Sequence, residues 1–337
     1  MKSRSDIKIF CMGRNARQIF NDLGYKASKE MDPDAADIVW VRDKYEQKIL
    51  KLSDTQALNH VPAEECLNNK GMLAELSHRN PDWRTFHPES YCLYVYDHAK
   101  AFFSRPRDGI WITKPCSGSG GVGIKLFRPS ESTAGLRFGS QNNILQKYVE
   151  KPFLLDGLKS SIRCYWLIAC LDPMMVYLYP EGSVKMCTEK YTTDNLSLSG
   201  AHLTNTFQNE SSDNYDAEDY KLSWDDFFGR SELLNRDAVV EQMTSALSTV
   251  IATAHDILVR KPKKGHFFAL LGADWVLDQN CNLWLTEVQQ SFGMRFDDPL
   301  KRRILPELFD ETIQIVSEIV NEKTSEPASV KKFVRIV

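Results

Sequence analysis

Short apolar runs and helical patterns alternate in the first part of the chain. The runs IKIFCMG and ADIVWVR are rich in β-branched and aromatic residues, which is typical of strands. Apolar positions at residues 16–23 recur at helical spacing, and a second helix is expected at about residues 66–76. This part therefore predicts a small α/β unit followed by a helix.

Strand patterns dominate the middle of the chain. A strand-like stretch at residues 91–96 precedes the runs IWITK and IKLF, which flank the glycine-rich SGSGGVG. Further strands are predicted at ILQKYVE, IRCYWLIACL, MMVYLY and SVKMCT, with turns at Asp172-Pro173 and Glu181-Gly182. The second half of the chain is thus expected to be mostly β-sheet.

A long amphipathic helix and a hairpin are predicted near the end. Apolar residues from Val240 to Leu258 lie three or four positions apart, and Asp237 is placed at the helix N-cap. The strands FFALLGADWVL and NLWLTEV follow, joined by a turn at residues 278–280, and a terminal helix contains Leu308 and Ile315. The fold class is accordingly α/β (α+β).

Composition narrows the class of protein. The 337 residues are 42% hydrophobic and 26% charged, which fits a soluble globular chain of about two domains. A net charge of −3 argues against nucleic-acid binding, and no apolar run is long enough to span a membrane. Eight scattered cysteines suit reduced thiols, so a cytoplasmic location is expected. Cys116 beside the glycine loop is a candidate nucleophile, although a packed thiol is the favoured interpretation.

The last hairpin carries the sharpest cluster of polar residues. A turn centred near Gln279 and Asn280 places Asp274 opposite Glu287, and two facing carboxylates in apolar surroundings destabilise a ladder unless a cation lies between them. Gln289 shares the face of Glu287 by strand periodicity. Oxygen ligands of this kind favour Mg²⁺ or Mn²⁺ held jointly with substrate phosphates. The alternative is two surface acids on an amphipathic hairpin.

Two further features favour anion binding. The glycine loop lets backbone N–H groups approach an anion, and Lys114 ends the preceding strand, although an ordinary glycine hairpin with a surface lysine is the alternative. Lys159, Ser161 and Arg163 share one strand face by period two, which suits an anion-binding groove or, equally, a solvent-facing strand.

These blocks together resemble the tubulin tyrosine ligase family of the ATP-grasp superfamily. The similarity is carried by WITKPCSGSGGVGI, LQKYVEKPFLLDGLKSSIRCYWLI, YLYPEGSVKMCTEKY, HLTN and GADWVLDQNCNLWLTEVQ, and it spans roughly residues 38–299. The resemblance implies an ATP-grasp fold with a small amino-terminal lobe at 1–62, a central lobe with a glycine lid at 63–145, a carboxy-terminal lobe with the metal site at 146–325, and a tail at 326–337. It also implies ATP and Mg²⁺ as cofactors.

The resemblance assigns roles residue by residue. Asp274, Glu287 and Gln289 match metal ligands, Arg163 matches an arginine near the acceptor carboxylate, and Lys185 matches a cation of the amino-acid pocket. The residues that match nucleotide-binding positions are Lys70, Lys114, Gly120, Gly121, Gln146, Lys147, Tyr148, Val149, Lys159, Ser161, Thr204 and Asn205.

Four positions depart from the family pattern. Ser161 stands where the family has an aspartate, Gln289 where it has an asparagine, Gly120 where it has a basic residue, and Lys185 where it has an arginine. Glutamine still offers a carbonyl oxygen, and lysine still pairs with a carboxylate. The other two changes weaken phosphate and amine positioning.

The implied activity is an ATP-dependent ligation through an acyl phosphate. Tyrosine addition to a peptide C-terminus, with tubulin as acceptor, is the expected reaction, because the chain lacks the long basic extension of glutamylating relatives. The expected partners are a free amino acid and an acidic protein terminus, without nucleic acid or membrane, and the chain is expected to be a monomer. The rivals are a ligase for another peptide or a small metabolite, and a non-catalytic ATP-binding or tubulin-binding module.

Overall fold

A computed structural model describes residues 2–42, 52–118, 120–130, 142–205, 220–260, 264–290, 292–294 and 298–337. Residue 119, which belongs to the predicted glycine lid, lies outside the described residues.

Strands and helices are numbered in chain order over this part of the chain. The strands are β1 (Lys8–Cys11), β2 (Lys26–Ser28), β3 (Ile38–Trp40), β4 (Ala57–Leu58), β5 (Ser90–Cys92), β6 (Trp111–Pro115), β7 (Lys125–Phe127), β8 (Asn143–Lys147), β9 (Leu154–Leu155), β10 (Leu158–Leu171), β11 (Met174–Met186), β12 (Lys221–Ser223), β13 (His266–Phe267), β14 (Ala269–Leu277), β15 (Leu283–Gln289) and β16 (Val334–Arg335). The helices are α1 (Arg14–Asp22), α2 (Glu65–Asn68), α3 (Lys70–Ser77), α4 (Tyr96–Phe103), α5 (Ser199–His202), α6 (Trp224–Gly229), α7 (Arg236–Leu258) and α8 (Pro299–Glu322).

The amino-terminal sheet is parallel, and its edge strand β13 comes from a distant part of the sequence. Its order is β13-β4-β3-β1-β2, so that β13 joins an edge formed by residues some 200 positions earlier. Helix α8 covers this sheet, and the rings of Phe20 and Phe309 lie 5.4 Å apart. The amino-terminal sheet is therefore completed by the carboxy-terminal part of the chain.

The large antiparallel sheet separates two apolar cores. Its main path is β12-β11-β10-β14-β15. Successive side chains of a strand point to opposite faces, and in β10 Cys164 and Trp166 pack in the core that contains α7, whereas Tyr165 and Leu167 pack in the core that contains α8. Towards its amino-terminal end, the second face of β10 carries polar side chains instead. That end is where the candidate site lies.

A smaller antiparallel sheet lies across the cleft from this polar end. Its order is β5-β8-β6-β7, and Trp111, Tyr91 and Phe102 form its apolar core with α4. The glycine-rich loop connects β6 to β7. The observed class is the mixed α/β fold that the sequence predicts.

The predicted hairpin is confirmed in its register. Strands β14 and β15 are antiparallel, and Asp274 pairs with Glu287 across them. The turn predicted at Glu181-Gly182 is wrong, because both residues lie inside β11. The ladder with β10 is irregular there: Cys164 pairs with Gly182, but its neighbour Tyr165 pairs with Tyr179. A side chain at 182 would clash with the carbonyl oxygen of Arg163, so glycine is needed for this close approach.

Three local expectations are corrected. The helix predicted at residues 66–76 is divided at Asn69, whose side chain accepts from two backbone N–H groups at the start of α3. The predicted strand at 91–96 ends at Cys92, and Tyr96 already begins α4. The N-cap of α7 is Asn235 rather than Asp237, because the Asn235 side chain accepts from the backbone N–H of Ala238.

No helix within the described ranges is long and apolar enough to cross a membrane. The cysteines are free thiols, and Cys281 is the only one of the eight that is not buried.

Candidate active site

One cleft lies between the small sheet and the polar end of the large sheet. Its empty space, together with the solvent at its open mouth, amounts to about 970 Å³. The predicted site residues that line it are Lys70, Lys114, Gly120, Gly121, Gln146, Lys147, Tyr148, Val149, Lys159, Ser161, Lys185, Thr204, Asn205, Asp274 and Glu287. Residues more than 200 positions apart are thus brought together.

Arg163 and Gln289 do not line the cleft but contact one residue that does. Arg163 faces Asp274 across the β10–β14 ladder, and its Nε and a terminal nitrogen donate to the two carboxylate oxygens at 2.5 and 2.6 Å. The Gln289 amide nitrogen lies 3.4 Å from the same carboxylate. Burial opposes ionisation of Asp274, but the charges of Arg163 and Lys185 outweigh it and lower the pKa of this carboxyl. Asp274 is therefore held as a carboxylate.

Glu287 has its own cation. The Lys70 ammonium lies 2.7 Å from the Glu287 carboxylate and also donates to the carbonyl of Gly118 at 3.1 Å. Lys70 is the first residue of α3, and its backbone N–H donates to the carbonyl of Cys116 at the end of β6. The break at Asn69 makes Lys70 the first residue of α3, and these contacts place its ammonium beside the Glu287 carboxylate.

The donor set fits a hard divalent cation. Asp274 and Glu287 offer carboxylate oxygens from paired positions of a hairpin, and Gln289 adds a carboxamide next to Asp274. Within the described part of the chain there is no group of three or more His, Cys, Asp or Glu residues suited to a metal. A site with two carboxylates suits Mg²⁺, which takes its remaining ligands from phosphates and water.

Lys114 is buried beneath the mouth of the cleft. Its ammonium donates to the Gln146 side-chain oxygen at 2.8 Å, and the Gln146 amide donates to the Ser90 hydroxyl at 2.9 Å. Burial lowers the pKa of Lys114 to about 8. Gln146 thus orients the Lys114 ammonium. Strand periodicity alone does not reveal this role of Gln146.

The four glycines of the loop lie in the left-handed region of backbone conformation. Gly118, Gly120, Gly121 and Gly123 all have positive φ, between 74° and 119°. Glycine adopts such angles without strain, whereas other residues rarely adopt them. Gly118, Gly120 and Gly121 also line the cleft.

Lys159 is held by residues of two other segments. Its ammonium donates to the Tyr148 hydroxyl at 2.9 Å and to the backbone carbonyl of His202 at 2.8 Å. Burial lowers its pKa to about 8. Two residues further along β10, the Ser161 hydroxyl lies 2.7 Å from the Thr204 hydroxyl. The strand face of Lys159, Ser161 and Arg163 is buried, so the solvent-facing alternative is wrong.

Lys185 is another cation of the cleft. Among the residues that the structure describes, its ammonium has no hydrogen bond or ion pair, although it lines the cleft. Burial, with repulsion from Arg163, lowers its pKa to about 8. An unpaired, desolvated cation is a favourable site for a carboxylate ligand.

His202 is the main site residue that sequence analysis missed. It lines the cleft and contacts both Tyr148 and Lys159. The only signal was its place two residues before Thr204 in the segment HLTN. Cys116, by contrast, is no nucleophile candidate: contact with Cys92, 4.0 Å away, and burial both raise the pKa of its thiol.

The fold and the cleft define an α/β protein with a cation-rich cleft that also holds a carboxylate pair. The sequence profile of the "Tubulin-tyrosine ligase family" matches residues 48–326. This match covers most of the chain, and the chain belongs to the tubulin-tyrosine ligase family.

Several curated relatives are similar over the same region. Protein polyglycylase TTLL10 of Rattus norvegicus is 30% identical over 263 residues, which are 69% of this chain and 38% of the relative. Tubulin polyglutamylase TTLL7 of Homo sapiens is 27% identical over 331 residues, 86% of this chain and 36% of the relative. Inactive polyglycylase TTLL10 of Homo sapiens is 29% identical over 263 residues, 69% of this chain and 38% of the relative. The chain spans well under half the length of these relatives.

Proposed function

We propose that this chain is an ATP-dependent ligase that joins an amino acid to a carboxylate of a protein acceptor. The observation that carries the proposal is the set of groups that line one cleft. Lys114, Lys159 and Lys185 supply cations there, and Asp274 and Glu287 add two carboxylates. This combination suits a polyphosphate, a metal ion and a carboxylate substrate.

The reaction proceeds by positioning and charge neutralisation. An acceptor carboxylate oxygen attacks the γ-phosphorus of ATP, which releases ADP and leaves an acyl phosphate. The amine of the amino acid then attacks the acyl carbon, an amide bond forms, and phosphate leaves. Lys114 and Lys159 offset the negative charge of the phosphates, Lys185 offsets that of a substrate carboxylate, and Arg163 holds Asp274 in its ionised form. Mg²⁺, when bound at Asp274 and Glu287, supplies charge neutralisation at the phosphates.

Tubulin is the proposed acceptor because two of the relatives reported above are named for glycylation or glutamylation, one of them of tubulin. Those names favour glycine or glutamate over tyrosine as the amino acid. Tyrosine addition at a C-terminus, which the sequence led us to expect, has no support from these relatives and enters the test as one member of a panel.

The test is ADP release with each amino acid in turn, with and without tubulin, followed by mass spectrometry of the acceptor. A mass increase that depends on ATP supports the proposal, and fragmentation locates the new bond at a side chain or at the C-terminus. Nucleotide binding without any addition would favour a non-catalytic module, a second candidate that we retain because one relative is named inactive.

Removal of the ammonium of Lys114 or of Lys159 should weaken ATP binding. Lys114→Ala and Lys159→Ala each delete a buried ammonium that lines the cleft. A loss of about 1 to 3 kcal/mol is expected, the scale of a charged hydrogen bond. Calorimetry with Mg²⁺ and ATP measures it, and Lys331→Ala, which changes an exposed lysine, is the control. Unchanged affinity in both variants would contradict the nucleotide assignment.

ATP affinity should fall as pH rises through about 8. Burial lowers the pKa of Lys114 and of Lys159 to about 8, so both ammonium groups are charged at pH 7 and largely neutral at pH 9. Each lysine that must be charged to bind phosphate then contributes about a tenfold loss of affinity over this range. Calorimetry at pH 7, 8 and 9 measures the slope, which should flatten in the Lys114→Ala/Lys159→Ala double variant. A pH-independent affinity in the wild type would rule out these lysines as the titrating contacts.

A further inference from the structure

A chain of buried hydrogen bonds connects Lys159 to the segment that carries His202. The Lys159 ammonium donates to the Tyr148 hydroxyl at 2.9 Å, and that hydroxyl lies 3.1 Å from Nδ1 of His202. Nε2 of His202 lies 3.1 Å from the carbonyl oxygen of Asn195. Tyr148, Lys159 and His202 are only 6%, 7% and 1% exposed.

The partners fix the direction of each hydrogen bond in this series. A carbonyl oxygen only accepts, so the hydrogen of the His202 ring lies on Nε2 and Nδ1 carries a lone pair. The Tyr148 hydroxyl therefore donates to Nδ1, and its oxygen is turned to accept from Lys159. Burial and the nearby Lys159 charge lower the pKa of His202, which keeps the ring in this neutral form.

The same histidine holds Lys159 a second time. Its backbone carbonyl accepts from the ammonium at 2.8 Å, so two of the three N–H groups of Lys159 have fixed partners. The ammonium also lies 4.5 Å from the centre of the Tyr148 ring, where a cation is favoured. One N–H group remains for a ligand in the cleft that Lys159 lines.

We propose that His202 is a positioning residue for nucleotide binding. It turns the Tyr148 hydroxyl so that Lys159 is aimed at the nucleotide phosphates before the nucleotide arrives. This inference rests on the proposed function, because it presupposes that the cleft binds ATP. Preorganisation of this kind strengthens binding since the lysine side chain loses little further freedom when the ligand binds.

A purely structural role for His202 makes the opposite prediction about its two nitrogens. In that case the Nε2 contact with Asn195 anchors the segment, and the Nδ1 contact is incidental. Asparagine and glutamine separate these roles. The side-chain oxygen of asparagine can take the place of Nδ1, whereas the side-chain amide of glutamine reaches the position of Nε2.

The experiment measures binding of ATP with Mg²⁺ by calorimetry, without amino acid or acceptor. His202→Gln removes the acceptor of the Tyr148 hydroxyl, and Tyr148→Phe removes the hydroxyl itself. Each variant should weaken binding by about five- to tenfold, and the double variant should be no weaker than either single one. His202→Asn should stay within about twofold of the wild type. His255→Gln, which changes an exposed histidine of α7, is the matched control, and thermal melting checks that every variant is folded.

The outcomes separate the positioning role of His202 from the anchoring role. Weak binding by His202→Asn with wild-type binding by His202→Gln would establish the anchoring role and overturn the inference. Equal affinities for the two variants, whether both weak or both unchanged, would overturn it as well. If the wild-type protein itself binds no ATP, the proposed function fails and the inference fails with it.

Discussion

Glu287→Gln is expected to abolish ligation, by about a thousandfold or more, because the change removes one of the two carboxylates that a metal ion needs in this cleft. Glutamine keeps the size of the side chain and an oxygen for Lys70, which lies 2.7 Å from Glu287. The loss of stability should therefore stay below about 2 kcal/mol. ADP release and mass spectrometry of the acceptor measure activity, and thermal melting measures stability.

A carboxylate outside the cleft provides the control for this variant. Glu241→Gln changes an exposed glutamate of α7 and should leave activity unchanged. The dependence of nucleotide affinity on Mg²⁺ should also decrease in Glu287→Gln, but not in the control. Ligation at a near wild-type rate by Glu287→Gln would remove Glu287 from the metal site.

Arg163→Ala should suppress ligation by about a hundredfold or more while ATP affinity stays within about threefold of the wild type. The guanidinium pairs with the Asp274 carboxylate and does not itself line the cleft. The variant also leaves the partly buried Asp274 carboxylate without its bidentate partner, a defect of about 3 kcal/mol. Melting should therefore show a clear loss of stability.

Arg163→Lys distinguishes charge from geometry. Lysine keeps a cation near Asp274 but cannot make the bidentate pair. We expect this variant to recover most of the stability and only part of the activity. A loss of ATP affinity in Arg163→Ala as large as that in Lys159→Ala would show instead that Arg163 takes part in nucleotide binding.

Local patterns predicted the hairpin of the candidate site well. The turn residues at 278–280 and the period of two along each strand are sufficient to place Asp274 opposite Glu287, and the structure has this register. The positive φ angles of the glycine loop are compatible with its residue type, but glycine permits such angles without requiring them. In the hairpin the partners are close in sequence, so few arrangements compete.

Partners that are distant in sequence were not predictable. Arg163 faces Asp274 only because β10 lies between β11 and β14, and strand order is not encoded in the periodicity of any one strand. The break at Asn69 was missed because the helix was extended across the polar segment NNKG, where the Asn69 side chain caps a new helix. His202 was missed because its partners, Tyr148 and Lys159, lie more than 40 residues away.

The late position of β13 in the sequence affects synthesis of the protein on the ribosome. Residues 2–42 leave the ribosome long before His266–Phe267, which complete the edge of the amino-terminal sheet, and before α8, which covers it. During this interval the apolar face of the nascent sheet is uncovered, a condition that favours aggregation and chaperone binding. Fragments that end before α8 should consequently be insoluble when expressed alone, and the amino-terminal segment should gain protease resistance only when the chain is nearly complete.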